Sequence, residues 1–574
     1  MGSTPRRARI ALALGLTVAS GSSLAAYTCD QLLSVTSDSA KMTAAAMVTP
    51  PATIGGAAVS VPFCRVQGTA TPSSDSAIKF EVWLPATAAA WSGRFKQNGT
   101  GGYSGATPYA RLAQDVGDGF VSAGSNMGHD GGENASWTLG HPEKVKDWGL
   151  RAHYYVATAA KTLTHAYFDR PVAHSYFEGC SNGGRQAMMM AQNYPQLFDG
   201  IVAGAASQFY PDVLFWLIWT GKVLSPVAGQ PAISSAKRAL VTQAVLAKCD
   251  ANDGLVDGQI TNPRACSFDI DTLGPSGDNT LTAQELATVK AMYAGTHSEV
   301  TGEQRYSGAK FGSEAFFDPN FADNGGYGVF IGHYVYGVNW SAAQWRDPAN
   351  INFSSVYDHV KDFISPVTAS PSPDIREFVR RGGKLIQYAG WNDSVVPPDG
   401  AVGYLYALNV FEWLRYLPDR VAGREVERLS PLLVEASALA FHHEVQKYHR
   451  LFMAPGVSHC GGGSGPSAIG GGFPEPPAAY RDADHHVVSA VIKWVEQGVA
   501  PEKIIAGSYT GTNLVRSRPL CPYPAQAVYK GSGDVNDAAN FSCVTPKHPE
   551  HVTDTDLVLI KNSLRQRDLE LPNR

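Results

Sequence analysis

Charge is what this chain has least of. Only 17% of its 574 residues are Asp, Glu, Lys or Arg, against about 25% in an average soluble protein, and global disorder is excluded. Neither sign dominates: 46 basic residues stand against 51 acidic ones, for a net charge of -5. Without a positive field nothing draws in a phosphate backbone, so nucleic acid is not expected as a partner. Gly and Pro, at 58 and 36 residues, fall short of the roughly 25 to 30% that marks low-complexity chains. Beyond the first 26 residues no run reaches about 18 uncharged apolar residues, so a membrane is not expected as a partner either. Internal repeats and linkers between separate folds are missing too. What remains, at 44% apolar, is material for a large core.

The chain opens on an address. Arg6, Arg7 and Arg9 precede the apolar run Ile10 to Ala19, and Ser23-Leu24-Ala25 offers the small residues a signal peptidase accepts. Residues 1–26 are expected to be a signal peptide cut after Ala25 or Ala26. The run is too short for an uncleaved anchor, and Arg6-Arg7 lacks the rest of a twin-arginine signature. Export to the periplasm or the extracellular space makes the eight cysteines informative, because an even number in an oxidising compartment points to disulfides. Proximity favours Cys29 with Cys64, Cys249 with Cys266 and Cys521 with Cys543. That leaves Cys180 and Cys460 for each other, unless they are free or paired differently.

From about Ile78 to Ala206, short β-branched or aromatic runs alternate with helical stretches, as in IKFEVWLP, WGLRAHYYVATAAKTLTHAY and AHSYFEG. This alternation predicts an α/β fold with a mostly parallel sheet. It returns late in the chain: REFVRRGG reads as a helix, KLIQYAG and YHRLFMAP as strands, and HHVVSAVIKWVEQG as a final amphipathic helix stopped by glycine. Between them, aromatic and irregular text such as FYPDVLFWLIWTG and GVFIGHYVYGVNWSAAQW predicts an inserted lid. The expected organisation is a catalytic domain of residues 27–205 and 373–574, interrupted by a lid of residues 206–372.

The segment AHSYFEGCSNGGRQAMMMAQNYP carries the most chemistry. A strand runs into Gly179-Cys180-Ser181-Asn182-Gly183 and a helix follows at once, which is GxSxG in the strand-turn-helix context of a nucleophile elbow. Ser181 would stand at a helix N-terminus, with the Asn182 N–H aimed where an oxyanion forms. A serine needs a histidine to take its proton and a carboxylate to orient that histidine, here in the chain order Ser, acid, His. Asp393 follows the strand KLIQYAG, with Asp399 as its nearest competitor, and His459 follows the strand YHRLFMAP. Of sixteen histidines, His459 alone combines that context with a cysteine neighbour. A Cys180–Cys460 bridge would hold Ser181 and His459 within about 13 Å, since bridged Cα atoms lie about 5.5 Å apart and each chain step adds about 3.8 Å. RFKQNGTGGYSG offers Gly101 or Gly102 as the second oxyanion donor. It also resembles a dinucleotide loop, without the helix and acidic residue such a loop requires.

Asp250, Asp253 and Asp257 bring three carboxylates into the glycine-bent loop CDANDGLVDGQ. With the carbonyls of Leu255 and Gln259 they supply hard oxygen ligands for a structural Ca²⁺, although Thr261 stands where an EF-hand has Glu. The alternative is an Asp-Gly-rich surface turn. His442-His443-Glu444 with His449, and His485-His486, lack metal-ligand spacing and are expected to be packed or solvated.

Taken together, GCSNGGRQAMMMAQNYPQLFDGIVAGA, DWGLRAHYY, CDANDGLVDGQI, GWNDSVVPP and LFMAPGVSHCGGG resemble the tannase and feruloyl esterase family, which includes mono(hydroxyethyl) terephthalate hydrolases. The resemblance implies an α/β-hydrolase core with a calcium-bearing lid, a Ser181-Asp393-His459 triad, a disulfide joining Cys180 to Cys460, and Asp250, Asp253, Leu255, Asp257 and Gln259 at the metal. The turn NGTGG departs from the family's more usual run of four glycines. No residue matches the lid arginine that grips a terephthalate carboxylate. The expected function is a secreted serine carboxylic ester hydrolase acting on small-molecule or polymer-linked esters of aromatic, hydroxycinnamic-type acids, with Phe215, Trp216, Trp219, Tyr334, Tyr336, Trp340 and Trp345 available to stack on them. Tannase, terephthalate monoester hydrolase and aliphatic polyester depolymerase are the alternatives within that class. An inactive calcium-stabilised binding protein is the alternative outside it.

Overall fold

A computed structural model describes residues 26–275, 280–417, 426, 428–546 and 551–565. The expected signal peptide therefore lies outside the described residues, apart from Ala26. A ten-stranded sheet forms the centre. Its strands are β1 (Thr36–Ser37), β2 (Ala40–Val48), β3 (Phe63–Ala70), β4 (Ile78–Pro85), β5 (Arg94–Asn98), β6 (Val121–Ser125), β7 (His174–Cys180), β8 (Gly200–Gly204), β9 (Lys384–Gly390) and β10 (His449–Ala454). Their spatial order is β1-β2-β3-β4-β6-β5-β7-β8-β9-β10.

From β6 to β10 every pairing is parallel. From β1 to β6 every pairing is antiparallel. The sheet is thus mixed rather than mostly parallel; between β3 and β4 the connection from Ala70 to Ile78 is shorter than the dozen or more residues a parallel crossover needs. Burial follows pairing. β8 is buried at every position, as a parallel strand covered on both faces must be, whereas β3 alternates buried and half-buried positions.

Helices α1 (Tyr109–Gly117), α2 (Ala152–Phe168), α3 (Asn182–Asn193), α4 (Tyr210–Leu224), α5 (Ser355–Thr368), α6 (Asp399–Leu414), α7 (Val487–Gln497) and α8 (Asp554–Arg565) include those that cover the sheet. α3 packs on β7 and β8, and α7 on β8 and β9. The helix read as final, α7, is followed by α8, which packs along α6. Leu559 of α8 approaches Gly403 so closely that a Cβ there would sit 2.8 Å from the leucine's own. Between β8 and β9 the chain adds no strand to the main sheet among the described residues and forms α4, α5, shorter helices and a small hairpin. None of the described helices is long and apolar enough to cross a membrane.

Candidate active site

The C-terminal ends of β5, β7, β9 and β10 deliver the candidate residues. β7 ends at Cys180 and α3 begins at Asn182, leaving Ser181 between them at φ 63° and ψ -124°. A non-glycine residue there is strained and is held only by its surroundings. The Ser181 N–H donates to the Gly204 carbonyl at 2.9 Å and its own carbonyl accepts from the Arg185 N–H at 3.0 Å. The neighbouring glycines are obligatory, since a Cβ on Gly179 would lie 2.6 Å from the Gly183 backbone and one on Gly184 2.3 Å from the Gly204 carbonyl oxygen.

Asp393 follows β9 and is fully buried. Its Oδ1 accepts from the N–H groups of Val395 and Val396 at 2.9 and 2.8 Å. Its Oδ2 lies 2.7 Å from His459 Nδ1, in the loop after β10. That contact fixes the tautomer and leaves Nε2 for a substrate or nucleophile. Asp399, the competing acid, is engaged elsewhere. It opens α6 with its carboxylate held by Arg264 at 2.7 Å and by Lys310; against the cost of its burial, those two cations pull it down to about 2.

Cys180 and Cys460 form a disulfide with Cα atoms 6.0 Å apart, so the neighbours of serine and histidine are covalently clipped together. The other three expected bridges, Cys29–Cys64, Cys249–Cys266 and Cys521–Cys543, also form. Ser181 and His459 line one cavity of about 460 Å³, together with Gly101 and Gly102. Neither of these glycine N–H groups is used in a hydrogen bond among the described residues. Gly102 sits at φ +48°.

Of the aromatic residues available either to stack on a substrate or to form core, none lines the cavity. Phe215, Trp216 and Trp345 are buried as lid core, with Phe215 edge-on to Tyr357 and Phe353, and Tyr336 stacks obliquely on Trp340. Phe321 and Tyr327, from the segment between β8 and β9, line the cavity instead. Sequence reasoning also passed over Asn98, Arg111, Glu133 and Glu178, which line the same space. For Glu178 the available signal was a charged residue inside an otherwise apolar strand, YFEGC. Arg185, fully buried, was passed over as well. It donates to Asn182 Oδ1 at 2.7 Å and to the carbonyls of Gly149 and Thr368 at 2.9 and 3.2 Å, tying the elbow to the lid.

The remaining histidines do not converge. His442 contacts Gln446 and His449 contacts Gln387. His485 and His486 precede α7 rather than lying within it, and they meet Asp482 and Glu475.

In the Asp-rich loop, Asp250 accepts from the N–H groups of Asp257, Gly258 and Gln259 at 3.2, 2.9 and 3.3 Å. Asp253 accepts from the Leu255 N–H at 3.0 Å and the Thr261 hydroxyl at 2.5 Å. Asp257 Oδ2 holds Arg516 and Arg518 at 2.7 and 2.5 Å. Among the described residues no three acidic, His or Cys side chains are gathered around one point. Asp257 Oδ1, however, is buried without a partner. Burial raises the affinity of Asp257 for a proton; the arginines counter this, and the charges of Asp253 and Asp250 add to it. Hard oxygen donors with one buried oxygen unsatisfied fit a Ca²⁺ ion. Ser464, in the loop that carries His459, donates to the Gly258 carbonyl at 2.8 Å.

A strained serine at a strand-to-helix turn, a carboxylate-bound histidine in the same cavity and a sheet of this order define a carboxylic ester hydrolase on an α/β-hydrolase core. The chain belongs to the tannase and feruloyl esterase family, whose model matches residues 64–544. It is 36% identical over 509 residues, 84% of each chain, to an uncharacterized esterase of Xanthomonas campestris. It is 29% identical to a probable feruloyl esterase B-2 of Aspergillus terreus, over 85% of this chain and 87% of that one. Among solved structures it is similar to feruloyl esterase B from Aspergillus oryzae, with a TM-score of 0.74 and 26% identity over 89% of this chain and 98% of that one. The tannin acyl hydrolase of Aspergillus niger shares the fold, with a TM-score of 0.69 at 18% identity over 92% and 94% of the two chains.

Proposed function

We propose that the protein is an exported serine esterase that cleaves esters of hydroxycinnamic-type aromatic acids through an acyl-enzyme on Ser181. The observation that carries this reading is the 2.7 Å contact between Asp393 and His459 Nδ1, beside a strained serine that shares their cavity. His459 Nε2 takes the proton of the Ser181 hydroxyl as Oγ attacks the ester carbonyl, and Asp393 stabilises the imidazolium that results. The Asn182 N–H, with that of Gly101 or Gly102, receives the developing oxyanion; one such donor accounts for about 100- to 1,000-fold in rate. His459 then protonates the leaving alcohol. In the second half of the cycle it activates the water that releases the acid and restores Ser181.

Residues 206–372 act as the lid, whose Phe321 and Tyr327 provide an aromatic wall for the acyl group. The probable feruloyl esterase B-2 of Aspergillus terreus and feruloyl esterase B of Aspergillus oryzae, at 29% and 26% identity against 18% for the tannin acyl hydrolase of Aspergillus niger, support a feruloyl-type acid over a gallate. Asp250, Asp253 and Asp257, with the carbonyls of Leu255 and Gln259, would hold a structural Ca²⁺, which would supply charge compensation to the loop. The leader and the four disulfides support export. Turnover of p-nitrophenyl acetate separates an esterase from an inactive binding protein. A panel of methyl ferulate, methyl gallate and a terephthalate monoester then tests the substrate class: kcat/KM should be highest for methyl ferulate, and a preference for either of the others overturns the assignment.

A further inference from the structure

The charged residues around the catalytic cavity do not balance. Three of its lining residues carry charge: Arg111, Glu133 and Glu178. Arg111 pairs with Glu475 and also lies in the field of Glu178. Glu178 stands three residues before the nucleophile on β7. It shares Lys96 with the buried Asp115, at 3.1 and 2.6 Å, and Arg111 is the second cation near it. Glu133 has no hydrogen bond or ion pair among the described residues and is exposed. Its Oε1 lies 3.4 Å from where a Cβ on Gly101 would stand, at the edge of the glycine turn offered as oxyanion donor. Among the described residues the cations nearest the cavity, Arg111 and Lys96, are engaged by Glu475, Glu178 and Asp115 rather than by Glu133.

The neutral polar groups lean the same way. Asn98 and Glu178 are register partners on the adjacent parallel strands β5 and β7, so they rise from one face of the sheet. Asn98 donates its amide to Asp115 at 2.7 Å. The acceptor ends of both side chains, Asn98 Oδ1 and Glu178 Oε2, are buried without partners, in residues only 2% and 3% exposed. A buried acceptor left unmade is costly, and native sites supply it with a donor.

Resting on the esterase reading above, we infer that Glu133 and Glu178 make this cavity selective for neutral, hydroxyl-bearing esters and exclude esters that carry a free carboxylate. The acceptors of Glu178 and Asn98 favour a hydrogen-bond donor, and the uncompensated carboxylate of Glu133 repels an anion. Specificity here has an attractive and a repulsive element acting on the same substrate. A carboxylate held some ångströms from Glu133 at a partly wet surface should lose about ten-fold in kcat/KM through repulsion alone.

The test compares methyl benzoates that bear a para hydrogen, a hydroxyl or a carboxylate, together with a glucose ester of benzoic acid. The last tells ring hydroxyls from those of the alcohol. In the wild type, kcat/KM should fall from a hydroxylated ester to the unsubstituted one and again, at least ten-fold, to the carboxylate. Glu133→Gln should raise the ratio of carboxylate-ester to unsubstituted-ester kcat/KM about ten-fold. Added salt should narrow the wild-type gap, because screening acts on the repulsion. Glu178→Gln should lower the ratio of hydroxylated to unsubstituted turnover, and ratios within one variant are insensitive to how much of it folds. Equal hydrolysis of the carboxylate and unsubstituted esters by the wild type overturns the inference while leaving the esterase reading standing. So does a Glu133→Gln variant with unaltered discrimination. If none of the esters is hydrolysed, the underlying reading falls and takes this inference with it.

Discussion

Removing Asp393 and removing Asp399 should damage different properties of the protein. Asp393→Asn preserves the size of a fully buried side chain, and its oxygen can still accept from the N–H groups of Val395 and Val396. Its amide, however, presents a donor to His459 Nδ1, so the imidazole is held with its proton on the wrong nitrogen. A wrong tautomer in such a triad costs about 10,000-fold in kcat. The thermal melt should move little. Asp399 is the reverse case. Its carboxylate is held by Arg264 and Lys310, which pull it from the usual 3.8 to about 2 against the cost of burial, a favourable interaction on the order of a few kcal/mol. Taking away one partner of a buried pair and stranding the others costs about 3 to 5 kcal/mol. Asp399→Ala should therefore lower the melting temperature by several degrees and keep kcat within a few-fold at about 25 °C. Hydrolysis of p-nitrophenyl acetate and a thermal melt on both variants decide the matter. If Asp399→Ala abolishes turnover in folded protein while Asp393→Asn retains it, the acid has been misassigned.

Replacing Cys180 and Cys460 together with Ser should lower kcat about 100-fold at a temperature where the variant stays folded, because misplacing nucleophile and base by about 1 Å has that effect; breaking Cys521–Cys543 should lower only the melting temperature, and full kcat in the first variant would make the bridge merely structural. Calcium bound only by the folded chain stabilises it by mass action, so EGTA should lower the melting temperature and calcium should appear in elemental analysis of the purified protein; neither effect appearing removes the metal. His153 and His449 are held neutral by burial, down to about 4 and about 3 from the usual 6.5. Above pH 6.5 their contribution is complete; as pH falls from there towards 4 the unfolded chain takes up protons that the folded one refuses, so stability drops by up to about 1.4 kcal/mol per pH unit for each histidine. Denaturant unfolding at pH 7 and pH 5 measures this, and equal stability at the two values contradicts it.

The strand-to-helix turn at Ser181 and the strand-end positions of Asp393 and His459 were legible in the sequence because each is local; three disulfides were legible by proximity and Cys180–Cys460, 280 residues apart, by elimination. GCSNG announces a turn through glycines whose absence would cause clashes, and Asp393 and His459 announce themselves by following strands. The lining of the cavity was not legible. Asn98, Glu178, Phe321 and Tyr327 meet only after distant segments fold together, and an apolar helix such as FYPDVLFWLIWTG reads alike whether its aromatics face a core or a ligand. Trp216 turned out to be core. The antiparallel half of the sheet was missed although its signal, the short loop from Ala70 to Ile78, was there to be read. The arginines that meet Asp257 come from a hairpin more than 250 residues away, at sequence separations of 259 and 261, which no motif foretells.

The most direct test of the account is the covalent one. Incubation with an aryl phosphonate that mimics the tetrahedral intermediate, followed by peptide mapping, should place a single adduct on Ser181, and the adduct should form in step with loss of esterase activity. The Ser181→Ala variant should take up no label, fold with an unchanged melt and lose nearly all turnover. An adduct on any other residue, or an active Ser181→Ala enzyme, would contradict the mechanism.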